Sequence, residues 1–201
     1  TCKSPQQMFG AIAKTYYAKK LGKKPEEIFC ASVMPCTAKK FECSRPEMTD
    51  SGVQDVDAVL TTRELGRMIE AAGIDFKNLP NEEMDAPLGM STGAADIFAN
   101  TGGVMEAALR TAYEIITGRP LPVENLHVTP IMGLEGIKEA ALTIEGAVED
   151  WKFLEGVTVK VAVAHGLANA DKLIKSVKAG ERQYHFIEVM TCPGGCIGGG
   201  G

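Results

Sequence analysis

Apolar residues recur at helical spacing at Met8, Ile12 and Tyr16, just after Ser4-Pro5-Gln6-Gln7. In that start signal Ser4 reads as the N-cap, Pro5 as the first helical residue and Gln7 as the side chain closing a capping box, with Gly22 as the stop. Residues 27–34 form a short apolar run that predicts a largely buried strand ending at Pro35. A second strand is predicted over 57–60. It leads into Thr61-Thr62-Arg63-Glu64, another capping box, and a helix to Ala72 with Gly73 as its stop. The longest helical pattern covers 103–117 and is closed by Gly118-Arg119-Pro120. A β-branched strand follows at 157–164, then a helix over 168–178 and a last strand over 184–190. Strands alternating with helices predict an α/β fold, with parallel or mixed sheets flanked by helices.

Composition adds bounds rather than identity. The chain has 201 residues, 45% apolar and 23% charged, which suits one domain or two sub-lobes, here expected over about 1–120 and 121–201. A net charge of −5 argues against nucleic acid as a partner. No apolar run approaches the roughly 18 residues of a membrane span, and no signal peptide opens the chain. The expected location is therefore cytoplasmic, with a periplasmic one left open. Residues 1–40 hold eight lysines against Glu26 and Glu27, a local charge of +6. The excess reads as a solvated lysine face, and more sharply as a docking patch for an acidic electron carrier. The chain lacks an initiator methionine and closes on Gly198-Gly199-Gly200-Gly201, so it reads as a piece of a longer protein whose glycine tail buries nothing.

The six cysteines carry the chemistry: Cys2, Cys30, Cys36, Cys43, Cys192 and Cys196. Without a secretion signal they read as thiols, and clustered thiolates are soft ligands for iron–sulfur clusters, copper(I) or zinc. Cys192-Pro-Gly-Gly-Cys196 matches neither the zinc-ribbon nor the ferredoxin spacing, yet its glycines let backbone wrap closely around a bulky group. Cys36 and Cys192 both follow the carboxyl ends of predicted strands, where open α/β sheets place ligands. Alternation along a strand sets Met34 with Cys36, and Glu188 with Met190 and Cys192, on common faces. Cys30 lies six residues before Cys36, roughly 20 Å along an extended strand, and is expected to be a small buried hydrophobe. Cys43 is expected in a loop. His127, His165 and His185 show no ligand spacing and are assigned to structure or surface.

Two longer runs then resemble a known family. Residues 34–42, MPCTAKKFE, and residues 188–200, EVMTCPGGCIGGG, resemble the second and third signatures of [FeFe]-hydrogenases. Residues 4–10, SPQQMFG, and 101–110, TGGVMEAALR, are also similar to segments of that catalytic domain, in the same order along the chain. The resemblance implies an iron-hydrogenase large-subunit fold with an H-cluster between two sub-lobes. That cofactor is a [4Fe–4S] cubane bridged to a two-iron unit carrying CO, cyanide and a dithiolate. It implies Cys36 and Cys192 as cubane ligands and Cys196 as the ligand that also bridges to the two-iron unit. Lys39 would donate to one cyanide, Pro5 and Gln6 would approach the other, and Met34, Met190 and Phe98 would wall the two-iron unit. The family often has glycine where this chain has Ala99.

The family's first signature, T-S-C-C-P, is not in the chain and would lie upstream of Thr1. It supplies the fourth cubane ligand and the proton-relay cysteine, so this piece alone is expected to be inactive. The implied reaction is 2H⁺ + 2e⁻ ⇌ H₂, with ferredoxin or NAD(P)-linked subunits as redox partners. Two alternatives share the cysteine motifs: a hydrogenase-like cytosolic iron–sulfur assembly protein without hydrogenase activity, and a hydrogen sensor. The run from Gly93 to Arg110 favours the enzyme.

Overall fold

The structure, a computed structural model, describes residues 3–90, 92–122 and 136–201. Cys2 and His127 lie outside the described residues. The chain divides into two units: Thr1–Met90 with Gly199–Gly201, and Ser91–Gly198. No helix among the described residues is long and apolar enough to cross a membrane.

In the first unit, α1 (Pro5–Ile12) runs through a π-helical turn, Ala13–Tyr17, into α2 (Ala18–Lys20), and Gly22 follows at φ 68°. The helix is where the pattern puts it, but its orientation is reversed. Gln7, Gly10, Ala13, Lys14 and Ala18 are buried, whereas Met8, Ile12 and Tyr16 are exposed. Close approach explains this: a Cβ on Gly10 would stand 2.6 Å from the Asp55 carbonyl oxygen and 2.7 Å from a Val56 methyl. The expected capping box also fails. Ser4 occupies the N-cap without capping through its side chain. Its hydroxyl and amide instead donate to the Glu42 carboxylate at 2.6 and 2.7 Å.

β1 (Ala31–Val33) pairs in parallel with β2 (Ala58–Leu60), in the register Ala31 to Ala58. β1 is shorter and more exposed than the apolar run suggested, because residues 25–27 form a 3-10 turn. α3 (Ala38–Cys43) follows Cys36 directly, so Cys43 ends a helix and is not in a loop. α4 (Thr62–Ala71) starts at the expected capping box, with Glu64 N donating to Thr61 Oγ1 and Thr61 N to the Glu64 carboxylate at 2.8 Å. The glycine tail does pack, contrary to the sequence reading: Gly201 N donates to the Pro35 carbonyl at 2.8 Å. A Cβ on Gly199 would collide with Pro35 and the Cys36 Cα.

The lysine excess is not one solvated face. Lys14 and Lys39 are buried, and Lys3 turns inward to Asp50 and Asp55 at 3.4 and 3.6 Å. Lys19, Lys20, Lys23 and Lys24 remain exposed.

The second unit is a three-stranded mixed sheet between helices. The order is β3 (Ile137–Thr143), β4 (Thr158–His165), β5 (Phe186–Met190), with β3 antiparallel and β5 parallel to β4. β3 is the strand the sequence reading missed. Alternation along β4 builds both cores: Val161 and Val163 meet Met105, Leu109 and Tyr113 of α6 (Gly103–Thr117). Ala162 and Ala164 meet Ala170 and Leu173 of α7 (Leu167–Lys178). His185 precedes β5, and its Nδ1 accepts the Lys160 amide at 3.0 Å. A short α5 (Ala94–Ile97) leads to Phe98 at its C-cap.

Candidate functional site

In the first unit the chemistry gathers where β1 ends. Cys36 is 8% exposed and Lys39, in the first turn of α3, is 7% exposed. A lysine seldom reaches that burial unless its ammonium serves a polar or charged group. Gln6 ties the start of α1 to this segment, donating through Nε2 to the Lys39 carbonyl at 3.3 Å and accepting from Ser32 Oγ at 2.6 Å. The Ser4–Glu42 bonds make a second tie between the same two motifs. Met34 is half-buried, and its amide donates to the Leu60 carbonyl. Pro5 is exposed. Gln7 is fully buried, and neither polar atom of its amide has a hydrogen-bond partner.

Cys30 is half-buried, not a core residue, and its amide donates to Asp57 at 2.7 Å. Burial, then the Asp57 charge, pushes its thiol above the usual range. The Cys43 thiol is likewise pushed up, by burial and by Glu42, and Sγ contacts the Lys40 carbonyl at 3.2 Å. Neither environment favours a thiolate.

In the second unit the Cys192–Cys196 loop turns through Gly194 and Gly195, at φ 81° and 94°. Only glycine adopts such angles freely. Three contacts lay the loop on residues 99–101: a bridge between Asn100 and Gly195, Thr101 N donating to the Gly194 carbonyl at 3.2 Å, and Ile197 N donating to the Ala99 carbonyl at 3.3 Å. A Cβ on Gly195 would collide with Ala99, Asn100 and Thr101. Cys192 and Cys196 are both half-buried thiols. Met190 and Phe98 are half-buried in this unit.

Glu188 was expected to share a face with Met190 and Cys192; the register supports this for Met190, while Cys192 lies beyond β5, and the Glu188 carboxylate has a structural task. It lies opposite Val163, on the α6 side of the sheet, and accepts the Gly102 and Met105 amides, each at 2.7 Å. It thus caps a helix whose own N-cap, Gly102, has no side chain to do so. Burial raises its carboxyl above the usual range, partly offset by those two amides. Sequence reasoning missed this cap and the Ser4–Glu42 tie. The available signal was an acid on the sheet's inner face beside a helix start that reads Gly-Gly.

These residues fit an iron–sulfur cofactor better than a single ion. Among the described residues no three His, Cys, Asp or Glu side chains are grouped to hold one metal ion. In the second unit, the glycine-lined thiols and the orphaned hydroxyl of Thr101, 3% exposed, suit a large sulfide-rich group.

Comparisons with known proteins agree. The family model "Iron only hydrogenase large subunit, C-terminal domain" matches residues 1–200. The chain is 55% identical to the NADP-reducing hydrogenase subunit HndD of Solidesulfovibrio fructosivorans over all 201 residues, which cover 32% of that protein. It is 50% identical to the periplasmic [Fe] hydrogenase large subunit of Nitratidesulfovibrio vulgaris, of which it covers 45%. An apo [FeFe]-hydrogenase of Chlamydomonas reinhardtii superposes with a TM-score of 0.75 at 43% identity, covering 100% of this chain and 54% of that one. A cytosolic iron–sulfur assembly component of Mus musculus is similar at 34% identity. The chain spans less than half of the curated relatives it matches, and it belongs to the C-terminal domain family of the iron-only hydrogenase large subunit.

Proposed function

We propose that this chain forms part of the H-cluster pocket of an [FeFe]-hydrogenase catalysing 2H⁺ + 2e⁻ ⇌ H₂. Cys36, Cys192 and Cys196 would be cubane ligands, Cys196 being shared with the two-iron unit, and a cysteine upstream would be the fourth. The observation that carries this reading is the path of the glycine tail. Gly199 packs on Pro35 and Cys36, and only Ile197 and Gly198 separate it in sequence from Cys196. Chain connectivity therefore supports one cluster shared by both motifs.

When bound, the H-cluster supplies the reversible reduction of protons to hydrogen. The chain's own residues set its surroundings. The Lys39 ammonium would donate a charge-assisted hydrogen bond to a cyanide. The first turn of α1, with Pro5 and Gln6, would serve the second cyanide. Met34, Met190 and Phe98 exclude water with polarizable or aromatic surface. The similarity to an NADP-reducing hydrogenase subunit supports a complex with NAD(P)-linked subunits, with ferredoxin as the alternative carrier.

The test is anaerobic reconstitution of the full-length protein with iron, sulfide and the two-iron unit, followed by a hydrogen assay. Turnover is expected. A stable cluster without turnover would point to the assembly-protein reading, and turnover confined to a protein with appended signalling domains would point to a sensor. Lys39→Asn should lose the two-iron unit while the cubane remains; equal loss of both contradicts the assigned role.

A further inference from the structure

Thr101, in the second unit, has a hydroxyl the fold leaves unaccounted for. The residue is 3% exposed, and Oγ1 has no hydrogen-bond partner. Leaving such a hydroxyl unsatisfied is costly, so a native protein rarely keeps one without a role. A methyl in its place would fill the same space at no such cost. Its position is also fixed from both sides. The Thr101 amide donates to the Gly194 carbonyl within the Cys192–Cys196 loop, Asn100 bridges Gly195, and Gly102 is clamped by Glu188. The Asn100–Thr101 peptide lies so close to Gly195 that no Cβ fits between them. The residue that carries this buried donor is thus held by its backbone against the loop of two thiols.

We infer that the Thr101 hydroxyl donates a hydrogen bond to a sulfur of the iron–sulfur cluster held by Cys192 and Cys196, either a cysteine thiolate or a cluster sulfide, and thereby sets the cluster's reduction potential. The inference rests on the H-cluster reading above. Reduction by one electron adds negative charge to the cluster, and a donor to sulfur stabilises the more negative state. The bond therefore raises the potential, and its loss lowers it. Thr101 does not ligate iron and tunes the cluster from beside it.

The test is a redox titration of the cubane in the full-length protein, followed by electron paramagnetic resonance, with dithionite as reductant and dye mediators. Wild type, Thr101→Ser and Thr101→Val are compared at matched iron and sulfide content. Thr101→Ser keeps the hydroxyl and should match wild type, whereas Thr101→Val keeps the shape and should titrate at a lower potential. If the valine variant does not fold, Thr101→Ala removes the hydroxyl with less bulk and should show the same shift. A cluster-loaded hydroxyl-free variant with the wild-type potential overturns the inference and means the hydroxyl is met by a buried water. Wild type that binds no cluster overturns the H-cluster reading itself.

Discussion

Two helices with similar apolar periodicity are used in opposite ways. α6 turns Met105, Leu109 and Tyr113 onto the sheet, as an amphipathic helix over a core should. The rod of α1, its π turn and α2 turns Gln7, Gly10 and Lys14 inward and leaves Met8, Ile12 and Tyr16 outside. The second unit is held by apolar packing on both faces of its sheet. The first is held by close backbone approach and by buried polar ties. Lys14 donates to the Gln54 carbonyl at 2.6 Å and to Asp57 at 2.7 Å, and Asp57 in turn accepts the Cys30 amide. Lys14 is carried by the π turn, a rare interruption of an α-helix that shifts the angular positions of the side chains around it. Periodicity identifies a helix; what the neighbouring backbone offers decides which face is buried.

The sharpest way to break this contrast is Lys14→Met. Removing one partner of a buried pair should lower the local stability of the first unit by about 3–5 kcal/mol. Hydrogen exchange of the full-length protein should show faster opening at 31–33 and 58–60, with the second unit unchanged. Met105→Ala is the mirror experiment. Emptying a fully buried core position should cost the second unit about 2–5 kcal/mol and leave the first unaffected.

Two buried carboxyls, one in each unit, shift in opposite directions. Burial raises the Asp55 carboxyl, but hydrogen bonds from Ser51 and Asp50 and the Lys3 charge outweigh it and hold it below the usual range. Its contribution is present above the ordinary carboxylate range and is lost as pH falls through the depressed folded value. The Glu188 carboxyl is raised, so its contribution is fullest below the ordinary value and is lost as pH rises through the folded one. Opening free energies from hydrogen exchange, corrected for the intrinsic pH dependence of amide exchange and followed from pH 7 downward, should therefore fall around 50–56 and rise around 102–105, and Glu188→Gln should flatten the second trend alone. Thr61→Ala should cost α4 about 1 kcal/mol by removing its cap. The smallest effect belongs to Met8→Ser, on the exposed stripe: a change of less than about 0.5 kcal/mol in the first unit. A large loss there would mean the stripe is core after all.

Legibility in the sequence followed the kind of force at work. α4 carried a capping box and a glycine stop, α6 a glycine stop, and both α6 and α7 a helical pattern, and all three stand within a residue or so of expectation. β4 was legible through its β-branched run. β3 was not, because Ile137–Thr143 reads IKEAALT, with adjacent charges and adjacent alanines of low strand propensity and no period-two alternation, and only pairing with β4 makes it a strand. The cysteine motifs were visible as spacing and as family resemblance. Their supports were not: Glu42 to Ser4, Gln6 to Lys39, and Glu188 to the α6 amides join residues far apart in sequence, with no local signature. The glycine tail was misread because backbone packed against backbone leaves no trace in a hydropathy pattern.

The central claim is that Cys36, Cys192 and Cys196 serve one cubane while Cys30 and Cys43 do not. The most direct measurement is Mössbauer spectroscopy of the full-length protein, reconstituted with ⁵⁷Fe and sulfide, for each single cysteine-to-alanine variant. The account predicts loss or strong depletion of the [4Fe–4S] signal assigned to this domain in Cys36→Ala, Cys192→Ala and Cys196→Ala, with wild-type spectra for Cys30→Ala and Cys43→Ala. An unchanged cubane in Cys36→Ala, or equal loss in Cys30→Ala, would contradict it.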